Sequence, residues 1–116
     1  AARLLLYSGH DTVVAPLLAA LGGLRAPNAC RWPPYASHLV FEIWEEGSNG
    51  GSHHHNHHRE HHSVRVLFNG RVVTSYLSGC DRHPGAEYCS LANFAKAVEG
   101  LAAEFTYKCG LSAVPT

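Results

Sequence analysis

The chain opens with an apolar run and then changes to helical periodicity. Residues 1–7 are apolar on both faces, which is the pattern of a buried parallel strand. After a Ser-Gly break, apolar side chains recur at spacings i, i+4 and i+7, as Val14, Leu18 and Leu21. This spacing predicts an amphipathic helix from about Thr12, which the glycine pair after Leu21 ends in a left-handed turn.

Two titratable residues, His10 and Asp11, lie where the predicted strand gives way to the helix. Asp11 or Thr12 can cap the helix, and Pro16 is expected in or near its first turn. Ligands in open α/β sheets bind at such junctions, where helix N–H groups favour anions. A histidine there can bind a phosphate oxygen, and an aspartate can protonate a leaving group. An ordinary capping aspartate beside a loop histidine explains the same dipeptide.

The pattern over residues 24–77 predicts a loop followed by strands of one antiparallel sheet. Prolines predict a loop over residues 24–35, and alternating apolar positions predict a strand over 38–44. Residues 64–77 form two β-branched runs around Asn69-Gly70, the preferred pair for a type I′ hairpin. This hairpin sets Leu67 against Val72 and Val66 against Val73, and the preceding strand is expected in the same sheet.

Ser90 is expected to cap a last helix with one apolar stripe, formed by Leu91, Phe94, Val98, Leu101 and Phe105. The resulting β-α-β-β-β-α order predicts an α/β or α+β unit. The first strand finds no parallel neighbour in this sequence, so the chain is expected to be part of a longer protein.

Composition narrows the function classes. The 116 residues contain nine basic and nine acidic side chains, so no excess positive charge indicates nucleic acid as a partner. The ten histidines would make the chain cationic only below about pH 6. No apolar run approaches the roughly 20 residues that span a bilayer.

Four segments, in order, resemble the histidine acid phosphatases. Residues 7–22, Y-S-G-H-D-T-V-V-A-P-L-L-A-A-L-G, resemble the second signature of that family. Residues 32–44, W-P-P-Y-A-S-H-L-V-F-E-I-W, and 64–70, V-R-V-L-F-N-G, are similar to its W-P-P-Y-A and hairpin segments. Residues 80–94 resemble its cysteine pair and following helix, with serine in place of the usual proline.

The resemblance implies an α/β fold, the C-terminal part of a phosphoglycerate-mutase-like (histidine phosphatase) domain, with a β-hairpin and a terminal helix. It also implies hydrolysis of phosphomonoesters through a phosphohistidine, without a cofactor or a metal. By position, His10 would bind the phosphate and Asp11 would be the proton donor. An acidic working pH would make the protonated form of Asp11 available.

The family's nucleophile lies in an R-H-G-x-R-x-P motif, and no R-H-G occurs in the 116 residues. Neither His38 nor His83 has a context that could replace it. Residues 1–116 are therefore expected to be the C-terminal segment of the phosphatase domain and to be inactive alone. The expected partners are a phosphomonoester substrate and the missing N-terminal part of the enzyme. The oligomeric state stays open.

The resemblance further implies a disulfide between Cys80 and Cys89, with two free loop thiols as the alternative. Cys109 would pair with an upstream cysteine, and Cys30 has no counterpart. The absence of any C-x-x-C pair disfavours a structural zinc site. The long spacer between Cys80 and Cys89, together with residues 62–70, H-S-V-R-V-L-F-N-G, resembles the corresponding segments of the 2-phosphoxylose phosphatases, a branch that acts in the Golgi on the glycosaminoglycan linkage region. The expected location is the secretory pathway: Golgi lumen, lysosome or extracellular space.

The segment 45–62 is a low-complexity loop rich in histidine. The ordinary explanation of this segment is an insertion in the loop between two strands of the family's fold. A metal site and a pH-sensing loop are the alternatives. A non-catalytic metal-binding or interaction module is accordingly the second hypothesis for the whole chain. Two further expectations concern single residues. Arg3 and Arg31 could approach a phosphate but are expected on the surface, whereas the aromatic residues Trp32, Tyr35 and Trp44 are expected to be packed.

Overall fold

The computed structural model describes residues 3–45 and 62–110, apart from the side chains of Phe105 and Cys109. Within them the order of elements is helix α1 (Asp11–Ala20), strands β1 (Leu39–Glu45), β2 (His62–Phe68), β3 (Arg71–Val72) and β4 (Cys89–Ser90), and helix α2 (Leu91–Cys109). The histidine-rich loop predicted at 45–62 lies outside the described residues except at its two ends. No helix in these ranges is long and apolar enough to cross a membrane.

Strand β2 is the centre of a four-stranded antiparallel sheet. Strand β1 pairs along its whole length, from Leu39 opposite Phe68 to Glu45 opposite His62. Strand β3 pairs with the last two residues of β2, and β4 pairs with Ser63 and Val64 near its start. Strand β2 is therefore paired on both edges, and its alternate residues Val64 and Val66 are fully buried.

The predicted hairpin is confirmed, with a shorter second strand. Asn69 and Gly70 have φ values of 52° and 85°, as a type I′ turn requires, and Leu67 pairs with Val72. The regular backbone pairing ends there, because the buried Thr74 hydroxyl, and not a backbone carbonyl group, bonds to the Val66 N–H. Its Oγ1 accepts a hydrogen bond from the Val66 N–H at 2.8 Å, and the hydroxyl lies 3.4 Å from the Val66 carbonyl oxygen.

Helix α1 has the predicted extent but begins differently. His10 is the N-cap residue and its side chain makes no capping hydrogen bond, whereas Asp11 or Thr12 was expected there. Pro16 is the sixth helical residue and lies in the second turn rather than near the first. The helix ends at Ala20, Gly22 with φ 86° provides the predicted left-handed turn after it, and Leu18 enters the core.

The core lies between α1, β2 and the segment after the hairpin. Its largest fully buried apolar side chains are Leu18, Leu77, Val64 and Val66. A backbone hydrogen bond of 2.9 Å from the Ser78 N–H to the Leu21 carbonyl oxygen joins the end of α1 to that segment. The C-terminal end of the helix is thus anchored to the segment after the hairpin.

Helix α2 begins at the predicted residue. The Ser90 hydroxyl accepts a hydrogen bond from the Asn93 N–H at 3.3 Å. A disulfide between Cys80 and Cys89, with Cα atoms 5.5 Å apart, ties the segment after the hairpin to β4. Phe94 packs with Phe41 at a centroid distance of 6.1 Å, but Val98 is 39% exposed, so the described part of the apolar stripe is only partly covered.

Two further sequence-based predictions are wrong. Residues 3–10 contain no strand, and Leu4 and Leu6 are 80% and 88% exposed. An apolar segment becomes a parallel strand only beside a partner, and no described strand pairs with it. The aromatic residues expected to be packed are also exposed: Trp32, Tyr35 and Trp44.

Arg65 on β2 joins three parts of the sheet. Its Nε lies 2.8 Å from Glu42 Oε1 on β1, and its Nη1 lies 3.2 Å from Glu87 Oε1 before β4. The guanidinium also lies 5.9 Å from the ring centroid of Trp44 and 5.5 Å from that of Tyr88. The pKa of Glu42 is lowered, mainly by the hydrogen bond from Arg65 and then by one from Trp44.

Candidate active site

The N-terminus of α1 presents His10 and Asp11 together on the surface. The His10 carbonyl oxygen accepts the N–H groups of Val13 and Val14, at 2.8 and 3.0 Å, and so starts the helix. The N–H groups of the first two helical residues, Asp11 and Thr12, have no acceptor within the helix, and no His10 side-chain bond covers them. This end of the helix can therefore receive an anion.

A third residue, Trp32, completes the site. Its indole Nε1–H donates a hydrogen bond of 2.8 Å to Oδ2 of Asp11. Trp32 is 63% exposed, so the indole lies on the surface beside the carboxylate rather than in the core. The bond occupies Oδ2 as an acceptor and leaves Oδ1 as the oxygen that can exchange a proton with a bound molecule.

The loop that carries Trp32 is held against the hairpin. The side chain of Asn69 accepts a hydrogen bond from the His38 N–H at 2.8 Å and donates one of 3.1 Å to the Ser37 hydroxyl. Ser37 in turn donates to the Pro34 carbonyl oxygen at 2.7 Å. Pro33, next to Trp32, is buried. These contacts hold the loop against the hairpin, and the indole bond to Asp11 joins the same loop to α1 across 21 residues of sequence.

The other candidate residues do not join this cluster. Arg3 and Arg31 are exposed, as expected, and no hydrogen bond or ion pair links either to His10 or Asp11 in the described part of the chain. The His38 ring lies 3.0 Å from the Ala36 carbonyl oxygen, where it has a local role. Over residues 3–45 and 62–110, no group of three or more potential ligands could hold a metal ion.

Sequence reasoning singled out His10 and Asp11 and did not anticipate the contact of Trp32 with Asp11. The dipeptide lies at a junction that local periodicity reveals. The indole lies beside Asp11 because the chain folds back in two turns between the two residues, and hydrophobic periodicity does not predict these turns. No sequence signal links Trp32 to Asp11, because an exposed indole N–H can also bond to water.

Residues 1–69 match the sequence profile of the histidine phosphatase superfamily (branch 2). This match spans more than half of the chain, so the chain belongs to that superfamily. The family prediction and the α/β fold class are thereby confirmed.

Several named proteins are similar in sequence to this chain. The chain is 37% identical over 97 residues to 2-phosphoxylose phosphatase 1 of Rattus norvegicus, which covers 81% of this chain and 18% of that protein. It is 38% identical over 78 residues to 2-phosphoxylose phosphatase 1 of Homo sapiens, and this alignment covers 67% of this chain and 14% of that protein. Counting factor 60 of Dictyostelium discoideum is 29% identical over 79 residues, which are 68% of this chain and 15% of that protein. The chain thus spans less than a fifth of these relatives. No solved structure matches it.

Proposed function

We propose that this chain supplies the phosphate-binding histidine and the proton donor of an acid phosphatase. The observation that carries the proposal is the placing of His10 and Asp11 at an open helix N-terminus, with the Trp32 indole on Asp11 Oδ2 at 2.8 Å. The phosphoryl oxygens would bind His10 and the first helix N–H groups. Asp11 Oδ1 would then lie on the side of the ester oxygen and protonate the departing alcohol.

The remaining machinery would come from a preceding part of the same enzyme. The sequence contains no R-H-G motif, and the exposed apolar residues Leu4 to Leu6 offer a surface that such a part could cover. Residues 1–116 would then form the C-terminal segment of the phosphatase domain. We expect the purified 116-residue chain to show no phosphatase turnover above background, and turnover that Asp11→Asn abolishes would contradict this.

The substrate we favour is a 2-phosphorylated xylose in a glycosaminoglycan linkage. The names of the similar rat and human proteins support this choice. A location in the secretory pathway belongs to the same proposal, and the Cys80–Cys89 disulfide supports it because disulfides persist in oxidising compartments. The test is the ratio of kcat/KM for a 2-phosphoxyloside to that for p-nitrophenyl phosphate, which should strongly favour the xyloside.

The decisive variants are His10→Ala and Asp11→Asn in the longer protein that contains this chain. Loss of a positioned acid should lower kcat by about 10²- to 10⁴-fold. Asp81→Asn is the matched control, because Asp81 is an exposed carboxylate whose partner Arg25 lies 3.6 Å away. Full activity in Asp11→Asn would overturn the proposal.

The alternative, a non-catalytic metal-binding or interaction module, depends on the histidine-rich tract. That tract lies outside the described residues, and no observation within them favours this function.

A further inference from the structure

A pocket of about 120 Å³ lies between the loop of residues 27–34 and the hairpin. The buried Pro33 belongs to its loop side, and Phe68 and Val73 line it from the hairpin. The Asn69 hydrogen bonds to Ser37 and His38 join the two sides. The pocket thus lies between two segments that hydrogen bonds hold together, and its lining combines apolar with polar side chains.

Two arginines give the pocket its charge. Arg31 lines it from the loop and Arg71 from β3. No aspartate or glutamate is among the described residues that line it, and neither arginine forms an ion pair within those residues. Arg25 and Arg65, by contrast, each have a carboxylate partner. Two guanidinium groups beside a pocket whose lining has no acidic residue favour an anionic ligand. A planar carboxylate or a tetrahedral phosphate or sulfate group matches their donor geometry.

The pocket and the candidate active site share one loop. Trp32, whose indole contacts Asp11, lies in the chain between Arg31 and Pro33, which both line the pocket. The Cα atoms of Arg31 and Pro33 each lie about 3.8 Å from that of Trp32, so one short stretch of loop contributes both to the pocket and to the contact with Asp11. A substrate whose alcohol part runs along this stretch from a phosphate bound at His10 would meet the pocket.

We propose that this pocket binds an anionic group, a carboxylate, sulfate or second phosphate, on the alcohol part of the substrate. The inference rests on the proposed phosphatase function, which supplies the phosphate bound at His10. Arg31 and Arg71 would hold the oxygens, and the proline and phenylalanine walls would contact the apolar face of the attached ring. The volume equals that of about four water molecules, which fits one such group with part of a ring.

The test compares two phosphate esters that differ by one charge, in the longer protein that contains this chain. One ester carries a carboxylate on a sugar-like leaving alcohol, and the other carries its methyl ester. Arg31→Ala and Arg71→Ala should each raise KM for the acidic ester by about tenfold and leave KM for the methyl ester unchanged. Arg82→Ala, which removes another exposed arginine, should alter neither. Equal KM changes for both esters, or no change, would overturn the proposal.

A binding measurement separates this inference from the proposed function. Titration calorimetry with the unphosphorylated acidic alcohol should show binding that Arg31→Ala and Arg71→Ala abolish, even in a protein that turns over neither ester. Absence of binding to an enzyme that is active on the methyl ester would overturn the pocket and leave the phosphatase proposal intact. Matching alcohols that carry sulfate or phosphate identify which oxoanion binds most tightly.

Discussion

The Trp32 indole N–H donates its hydrogen bond to Oδ2 of Asp11 across 2.8 Å, although both residues are exposed. Because this bond ties the candidate proton donor to the neighbouring loop, the orientation of the carboxylate depends on more than the helix that carries it. Trp32 is a positioning residue in this account, and its role can be separated experimentally from that of Asp11.

Trp32→Phe should slow the hydrolysis of an alkyl phosphate by about two- to tenfold, because the carboxylate loses one neutral donor and its fixed orientation. The effect should be smaller for p-nitrophenyl phosphate, whose leaving group needs less protonation. The measurement is kcat/KM for both esters in the longer protein.

Trp44→Phe is the matched control for Trp32. Its indole also donates to a carboxylate, at 3.0 Å on Glu42, but on the sheet and not at the helix N-terminus. An equal loss of activity in the two variants would show that Trp32 acts only through stability.

The Thr74 hydroxyl is expected to stabilise the sheet by satisfying the buried Val66 N–H. Thr74→Val keeps the volume and removes the acceptor, so the free energy of unfolding should fall by about 1–3 kcal/mol. Thr74→Ser keeps the hydroxyl and should cost clearly less. Urea unfolding of the three proteins provides the comparison, and equal stability of the valine and serine variants would contradict this role.

The Cys80–Cys89 disulfide closes a short loop between the segment after the hairpin and β4. Cys80→Ser together with Cys89→Ser should lower the free energy of unfolding by about 2–3 kcal/mol, chiefly by freeing the unfolded chain. Cys30→Ser is the control, because Cys30 is an exposed free thiol. An unchanged melting temperature in the double variant would argue that the bridge contributes nothing.

The Glu42–Arg65 pair should make stability depend on pH in the acid range. Hydrogen bonds from Arg65 and Trp44 lower the pKa of Glu42 from its usual value of 4.5. A lowered pKa stabilises the fold above about 4.5, and this stabilisation is lost as the pH falls through the pKa of the folded state. Glu42→Gln should therefore flatten the decrease of the melting temperature below that pH.

Glu99→Gln provides the control for this titration, because Glu99 is an exposed carboxylate on α2. Its acid dependence should match that of the unsubstituted protein. A curve for Glu42→Gln that coincides with both would contradict the assignment.

Local chemistry predicted the parts of the fold that depend on a few neighbouring residues. The Asn69-Gly70 turn, the glycine stop at Gly22 and the Ser90 cap are all present because backbone conformation and capping are decided within one turn. The two-residue strand β4 was not predicted, because so short an element exists only through its pairing with Ser63 and Val64.

Long-range contacts set the limits of prediction. Leu4 to Leu6 resemble a buried strand by composition, yet burial depends on a partner that periodicity cannot identify. The exposure of Trp32 and its contact with Asp11 depend in the same way on how the proline loop folds back. The sequence pattern located the dipeptide, and only the three-dimensional structure placed the indole beside it.

The central claim is that Asp11 protonates the leaving alcohol, and the dependence of rate on the leaving group tests it most directly. The measurement is kcat/KM for a series of phosphate esters from alkyl to nitrophenyl, with the unsubstituted longer protein and with Asp11→Asn. The account predicts a shallow dependence with Asp11 and a steep one without it, so that alkyl esters lose far more rate than nitrophenyl esters. An equal loss across the series, or no loss, would contradict the claim.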